Sequence, residues 1–494
     1  MSSFKYDFRY GLRMLWRNPG LTGIVLISLA LGIGANTAIF SVVNSVLFKP
    51  LPFKDPEKLV IVWEDASFVG FPENTPSPGN YADWKSQNHV FSKMAAMRDK
   101  NFNLTGGGEP LKLSAFQVTA DFFPLLGVQP IHGRVFTQAE DSPAANKVAV
   151  LSYGFWQSRF AGEPNIVGQN IILNNAKYTV IGIMPKNFQF FDSEISLWVP
   201  MAFTSEEIQN RNSHYLFVVA RIKDGISFDQ AQSEIKTIMA RIRADYPQDT
   251  GGKLDAYIET LSQQFVGSVK RPLILLLIAV ALVLLIACAN IANLLLSSAT
   301  SRKKEIALRA ALGADKSRLL RQLLTESLML SGVGGILGLI LGVISFRFLQ
   351  QLVPPSLALI ARPSLDPYVL LYTFAISILT GLIFGLVPSI HGSKTDLNDV
   401  LKSGGARVGA GSGAKKLRSI LVISEMALAL ILLVGAALLI QTIFQLQKLN
   451  LGFEPNNVVR LQTILPTSKY DTHEKRVQFY DQVLERVKGI SGVV

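Results

Sequence analysis

The chain has a single cysteine, Cys288, so no disulfide can form within it and any folded domain must stand on packing alone. The few histidines, His89, His132, His214, His391 and His473, are scattered without H-E-x-x-H or paired-ligand spacing. No G-x-S-x-G elbow occurs either, which leaves metalloenzyme and serine-hydrolase chemistry without a seat. The glycine-rich stretch Gly404 to Lys416 ends in two lysines but lacks the G-x-x-x-x-G-K-[ST] spacing and a preceding strand, so it reads as a flexible linker. Most telling is the absence of charge from five long runs: Leu21 to Phe48, Pro272 to Thr300, Ser327 to Phe346, Tyr368 to Ile390 and Met426 to Gln447. Each has about the 20 residues needed to cross a hydrocarbon core roughly 30 Å thick. The first, at about 28 residues, is too long for the h-region of a signal peptide and reads as a retained span.

What charge there is sums to +12, and its placement excludes nucleic acid as the partner. Basic residues gather in three segments beside the spans: Lys5, Arg9, Arg13 and Arg17; Arg302 to Arg321; and Lys394 to Arg418. With alternating spans all three fall on one face of the membrane, which the positive-inside rule makes the cytoplasm. The amino terminus is then cytoplasmic, and the long stretch between the first two spans lies outside.

These signals predict a membrane α-helical bundle plus an α+β periplasmic domain: one span, a large outside domain, clustered spans, and the start of a second repeat. Residues 1–20 carry adjacent basic and apolar stripes at four-residue spacing, a cytoplasmic amphipathic helix lying on membrane lipid. Spans are expected at 21–48, 271–300, 323–350, 367–390 and 419–447, the first two long enough to tilt or to protrude as a stalk. Between them lie the outside domain at 49–270, a cytoplasmic segment at 301–322, a short outer loop at 351–366 and a cytoplasmic linker at 391–418. Within the outside domain, helices are expected over Asn80 to Met97, Tyr153 to Phe160 and Phe228 to Tyr246, and strands over Lys147 to Leu151 and Tyr215 to Arg221. A hairpin, Asn170 to Leu173 with Tyr178 to Met184, turns at Asn174-Asn175, and Phe71 to Gly79 and Gly106 to Gly108 read as loops. Leu51, Phe53, Pro56 and Val60 find counterparts in Leu451, Phe453, Pro455 and Val459, so 448–494 is expected to open a second, incomplete outside domain, and the natural protein to continue or this to be a truncated copy.

Three sets of residues stand out as candidate sites. The segment Arg302 to Ala314 reads first as a solvated basic loop; the alternative is a short projecting helix, with Glu305 four residues ahead of Arg309 and Gly313 near its end, presenting Ile306, Leu308 and Arg309 to a partner's groove. Glu326 and Glu425 lie just inside spans, where an ionisable group is either functional or snorkels to headgroup water. Gly334, Gly338 and Gly342 make a small-residue stripe for close helix packing.

The segment Arg302 to Ala314 resembles the R-x-x-E-I-A-L-R-x-A-L-G-A coupling signature of MacB/FtsX-type ABC transporter permeases. Leu31 to Asn44 with Leu51-Pro52-Phe53 resembles the branch called acidobacterial duplicated orphan permeases, and Thr395 to Lys402 resembles its inner-face motif. Asp121 to Val128, Gly133-Arg134 and Val150 to Trp156 resemble the MacB periplasmic core domain. The resemblance implies a multi-pass permease subunit of the bacterial inner membrane, not itself an enzyme and with no cofactor of its own. ATP would be held by a separate cytoplasmic ABC ATPase that grips Arg302, Glu305, Ile306, Leu308, Arg309 and Gly313, and a periplasmic adaptor or substrate protein would be the outer partner. Its work would be mechanical, of efflux or export type. The alternative is a non-transporting FtsX-like protein that signals to a periplasmic enzyme, and a third option is an inactive fragment.

Overall fold

The computed structural model describes residues 19–106, 109–191, 195–301, 316–352, 364–392, 412–448 and 469–490, with a few isolated positions besides. In chain order the helices are α1 (Pro19–Val43), α2 (Pro78–Gln87), α3 (Phe122–Leu126), α4 (Tyr153–Phe160), α5 (Phe228–Asp245), α6 (Leu261–Ser301), α7 (Lys316–Leu352), α8 (Pro367–Gly392), α9 (Ser412–Gln447) and α10 (His473–Lys488). The strands are β1 (Leu59–Ala66), β2 (Phe71–Asn74), β3 (Phe91–Thr105), β4 (Leu111–Val118), β5 (His132–Gly133), β6 (Val148–Leu151), β7 (Asn170–Leu173), β8 (Ala176–Ile183), β9 (Leu197–Pro200), β10 (Phe217–Ile222) and β11 (Asp255–Thr260). Contacts divide the chain into a helical unit (Met1–Lys49, Ser268–Pro354, Ile360–Asn456) and a sheet unit (Pro50–Gly267, Pro355–Leu359, Asn457–Val494).

The sheet unit is a mixed sheet in the order β11-β1-β10-β3-β4-β9-β6-β8-β5, with β2 on β1 and β7 joined to β3 and β8. Only β4 with β9 and β6 with β8 run parallel among the described pairs. It has two cores. One packs α2 and α5 on β1, β3, β10 and β11 through Trp84, Ile235, Ile238, Met239 and Val218, the apolar side of α5 recurring at three- and four-residue spacing. The other gathers Phe102, Leu113, Leu151, Trp156, Val180 and Leu197 under α4. The long strand β3 contributes to both, so the lobes share one sheet. This is the α+β domain the sequence leads one to expect.

Two expectations within it fail for local reasons. The helix expected from Asn80 to Met97 stops at Gln87, and Phe91 to Met97 belongs to β3. Asn88 ends it: its Nδ2 donates to Trp84 O (2.7 Å) and Lys85 O (3.1 Å), and its Oδ1 accepts the Phe91 amide (3.1 Å), turning the chain into the sheet. Phe71 to Gly79 is not all loop, since it holds β2 and the first turn of α2, where Ser77 caps the Asn80 amide. The hairpin does turn on Asn174 and Asn175, both at positive φ (49° and 63°), where asparagine is tolerated.

Among the described residues of the helical unit, five helices are long and apolar enough to cross a membrane: Pro19–Phe48, Val269–Ser297, Arg321–Phe346, Pro367–Leu386 and Arg418–Gln445. α1 packs chiefly on α7, and α7 on α8. Val25, Leu29, Ile33, Leu284, Cys288, Ile291, Leu330 and Phe384 form the core they share with α6. After Val43 the first span loosens into a π turn, Asn44–Phe48.

Candidate functional site

Polar residues of the first span make two adjacent rows on one face of an otherwise apolar helix, Asn36 with Asn44 eight residues on, and Thr37, Ser41 and Ser45 at four-residue steps, the last of each row falling in the π turn. Each row finds partners on other spans. Asn36 Nδ2 donates to Gly32 O of its own helix and to Val280 O of α6, both at 2.8 Å, while its Oδ1 accepts from Tyr372 of α8 at 3.4 Å. Thr37 and Thr373 share a hydroxyl hydrogen bond of 3.0 Å, and the rings of Phe40 and Tyr372 stack at 3.9 Å. Ser41 donates to Ser364 O and accepts the Ser364 amide, both at 3.2 Å. Asn44 donates to Asp366 Oδ2 at 2.9 Å, and Lys49 reaches the same oxygen at 2.8 Å.

Asp366 also accepts the Val369 amide at 3.0 Å, placing its charge at the start of α8 where the helix dipole favours it. Burial opposes the charged form, but Lys49 and the Val369 amide outweigh it and hold the carboxyl below its ordinary range. A hydrogen-bonding group left unpaired in hydrocarbon costs several kcal/mol, so this seam fixes the register of α1 against α8 more narrowly than apolar packing would.

The glycine stripe of α7 lies against α1. A Cβ on Gly334 would stand 2.6 Å from Leu29 Cβ, one on Gly338 3.0 Å from Gly34 N, and one on Gly342 3.3 Å from Gly34 O. Gly335, Gly381 and Gly385 meet Ser377, Ser331 and Ser327 in the same way between α7 and α8. Glu326 is half-buried in α7 with Gln322 Nε2 at 3.5 Å, and Glu425 is half-buried in α9. Arg302, Glu305, Ile306, Leu308, Arg309 and Gly313 lie outside the described residues, as do the counterparts at 451–459, the motif at 395–402 and nearly all of the amino-terminal amphipathic segment.

The sheet unit buries one charge cluster. Glu64 of β1 is fully buried; it accepts the Ser77 amide (3.1 Å), Asn80 Nδ2 (2.7 Å) and Asn74 Nδ2 (3.3 Å). His214 Nδ1 lies 2.7 Å from its other oxygen, an ion pair without hydrogen-bond alignment. The contact with Glu64 raises the His214 pKa above its ordinary value against the opposing effect of burial. Asn80 in turn accepts from Arg211 at 2.7 Å, and Arg211 pairs with Asp83 and lies 3.7 Å over the Tyr246 ring.

Neither cluster was among the candidate sites drawn from the sequence, although Asn36, Thr37, Ser41 and Asn44 fall within the family-like segment Leu31 to Asn44. The α1 rows carried a legible signal in their four-residue spacing; Glu64, a lone acid after Val60-Ile61-Val62-Trp63, carried none.

The architecture is that of five membrane-length helices among the described residues, with a two-cored domain inserted between the first two. Residues 22–238 match the MacB-like periplasmic core domain and residues 277–397 the FtsX-like permease C-terminal domain. The chain belongs to the MacB/FtsX-type ABC permeases and is a multi-pass inner-membrane protein. It is 26% identical over 307 residues to the macrolide export ATP-binding/permease protein MacB of Salmonella paratyphi A, and 27% identical over 305 residues to that of Escherichia coli K12. In both cases 61% of this chain matches 45% of the relative, so the chain spans less than half the length of these relatives. Among solved structures, the periplasmic region of MacB from Actinobacillus actinomycetemcomitans overlays with a TM-score of 0.34 at 16% identity, covering 47% of this chain and 97% of that one. A permease domain from Porphyromonas gingivalis gives 0.34 at 13%, covering 42% and 93%.

Proposed function

We propose that this permease couples ATP hydrolysis by a separate cytoplasmic ABC ATPase to movement of its periplasmic core domain, in efflux or export-type work on a substrate or adaptor protein outside the membrane. The amino terminus and 301–322 face the cytoplasm in this reading, and 49–270 faces the periplasm. The observation that carries it is the insertion of a domain with two buried cores between the first two spans, its last strand β11 running straight into the 41-residue helix α6. At 1.5 Å per residue that helix is about 60 Å long, twice a hydrocarbon core, and suits a lever better than a pore wall. The size of the domain favours exporter-type work over an FtsX-like signalling role.

The test is ATP turnover by the partner ATPase with the permease in liposomes. Replacing Ile306, Leu308 and Arg309 together by Glu should cut permease-stimulated hydrolysis by roughly an order of magnitude or more, the usual cost of losing an interface hot spot, while membrane insertion is kept. Unchanged stimulation overturns the coupling assignment. Recovery of a cell-wall hydrolase with the permease, without any transport defect in the variant, would put the signalling role first.

A further inference from the structure

The sheet unit's chain enters at Pro50 and leaves at Gly267, and a phenylalanine near each end, Phe53 and Phe265, touches one turn. That turn, Phe190-Phe191, lies between β8 and β9, strands of the lobe under α4, whereas the ends flank β1 and β11 of the other lobe. Phe190 is fully buried, its ring 5.8 Å from Phe53 at the entry, 6.3 Å from Phe265 at the exit and 5.1 Å from Phe122. Phe191 packs on Phe265 at 5.1 Å and on Phe217 of β10 at 5.5 Å.

Each end is pinned further. Lys54 N donates to Leu126 O (3.2 Å), and Arg221 of β10 donates to Lys54 O, Asp55 O and Leu125 O. At the exit, Trp63 Nε1 donates to Gln264 Oε1 at 3.1 Å. Phe191 also has φ +58°, a left-handed conformation that costs a non-glycine residue of order 1 kcal/mol or more and persists only where its surroundings impose it. A bulky aromatic held there at the meeting point of two chain ends is out of place in an ordinary loop.

We propose that Phe191, with Phe190, is a positioning joint: it locks the two connections that lead to the first and second spans onto β8 and β9, so that displacement of either connection is passed to the far lobe. The inference deepens the mechanical coupling proposed above and rests on it for its biological meaning.

The test uses the full chain in detergent, with Phe191→Asn and Phe191→Tyr. Asparagine tolerates positive φ and removes the ring; tyrosine keeps the ring. In hydrogen exchange without nucleotide, Phe191→Asn should speed exchange roughly tenfold at the Lys54 amide and at residues 265–267 together. The pairing of β3 with β4 should be unaffected, and Phe191→Tyr should behave as the parent. Acceleration at one connection only, at neither, or across the whole sheet overturns the joint. With partner ATPase and nucleotide, a label pair at Lys177 and Lys236, one on each lobe and both exposed, should change separation in the parent and not in Phe191→Asn, although hydrolysis is still stimulated. A parent chain that stimulates no hydrolysis refutes the coupling reading, while the exchange experiment still decides the joint.

Discussion

Among single residues, Glu64 and His214 are the pair whose chemistry most directly sets a measurable property. A histidine whose folded pKa is raised contributes stability that is fully present below the ordinary imidazole value and is lost as pH rises through the folded value. The parent should therefore exceed His214→Gln in stability at about pH 5, with the advantage shrinking as pH rises past the ordinary imidazole value of about 6.5 and through the raised folded value. Thermal unfolding followed by tryptophan fluorescence reads chiefly the sheet unit, because four of the five tryptophans, Trp63, Trp84, Trp156 and Trp198, lie in it, and replacing Trp16 by Phe removes the remaining signal. A pH-independent difference would mean that His214 acts by packing alone. The Gly133-Arg134 motif also has a structural cause. A Cβ on Gly133 would collide with Ile181 O of β8, and Arg134 forks onto Glu140 at 2.8 and 2.6 Å. That fork first, and the Thr137 hydrogen bonds with it, hold the Glu140 carboxyl at about 2.

Whole elements depend on smaller differences in shape. α1 and α7 approach until Gly338 faces Gly34 backbone to backbone, which only a missing side chain permits. Gly338→Leu should separate the two helices and break Asn36 and Thr37 from Tyr372 and Thr373, lowering the unfolding temperature of the detergent-solubilised chain by several degrees, the shift expected for about 1–3 kcal/mol of overpacking. Gly332, where a Cβ would meet nothing within 4 Å, is the control and should tolerate alanine. Spacing along α7 disclosed a stripe of small residues. Which helix it faces was not legible, because periodicity gives a face and not its occupant. For α2, length was misread because one side chain, Asn88, ended the helix where the apolar pattern ran on.

For the molecule as a whole, the decisive quantity is sidedness. If the basic segments are cytoplasmic, a protease added outside intact spheroplasts should cut a site engineered at exposed Gly225 and spare one placed at 301–322. Cleavage of both, or of neither, would remove the lever. The two-cored domain follows from long-range pairing that no local pattern encodes: β1 lies between β10 and β11, some 160 and 200 residues away in sequence by the registers Leu59 with Arg221 and Val60 with Thr260.

What the sequence determined by itself was the solvent of each segment. Runs without charge must lie in lipid or a core, and basic clusters must stay in water, because desolvating a charge costs more than any single packing contact returns. Only the tertiary structure decided which polar side chains meet inside the bundle, that Glu64 is buried against His214, and that both ends of the sheet unit converge on Phe190 and Phe191. Those outcomes depend on distances between segments far apart in the chain, and composition and periodicity hold no information about them.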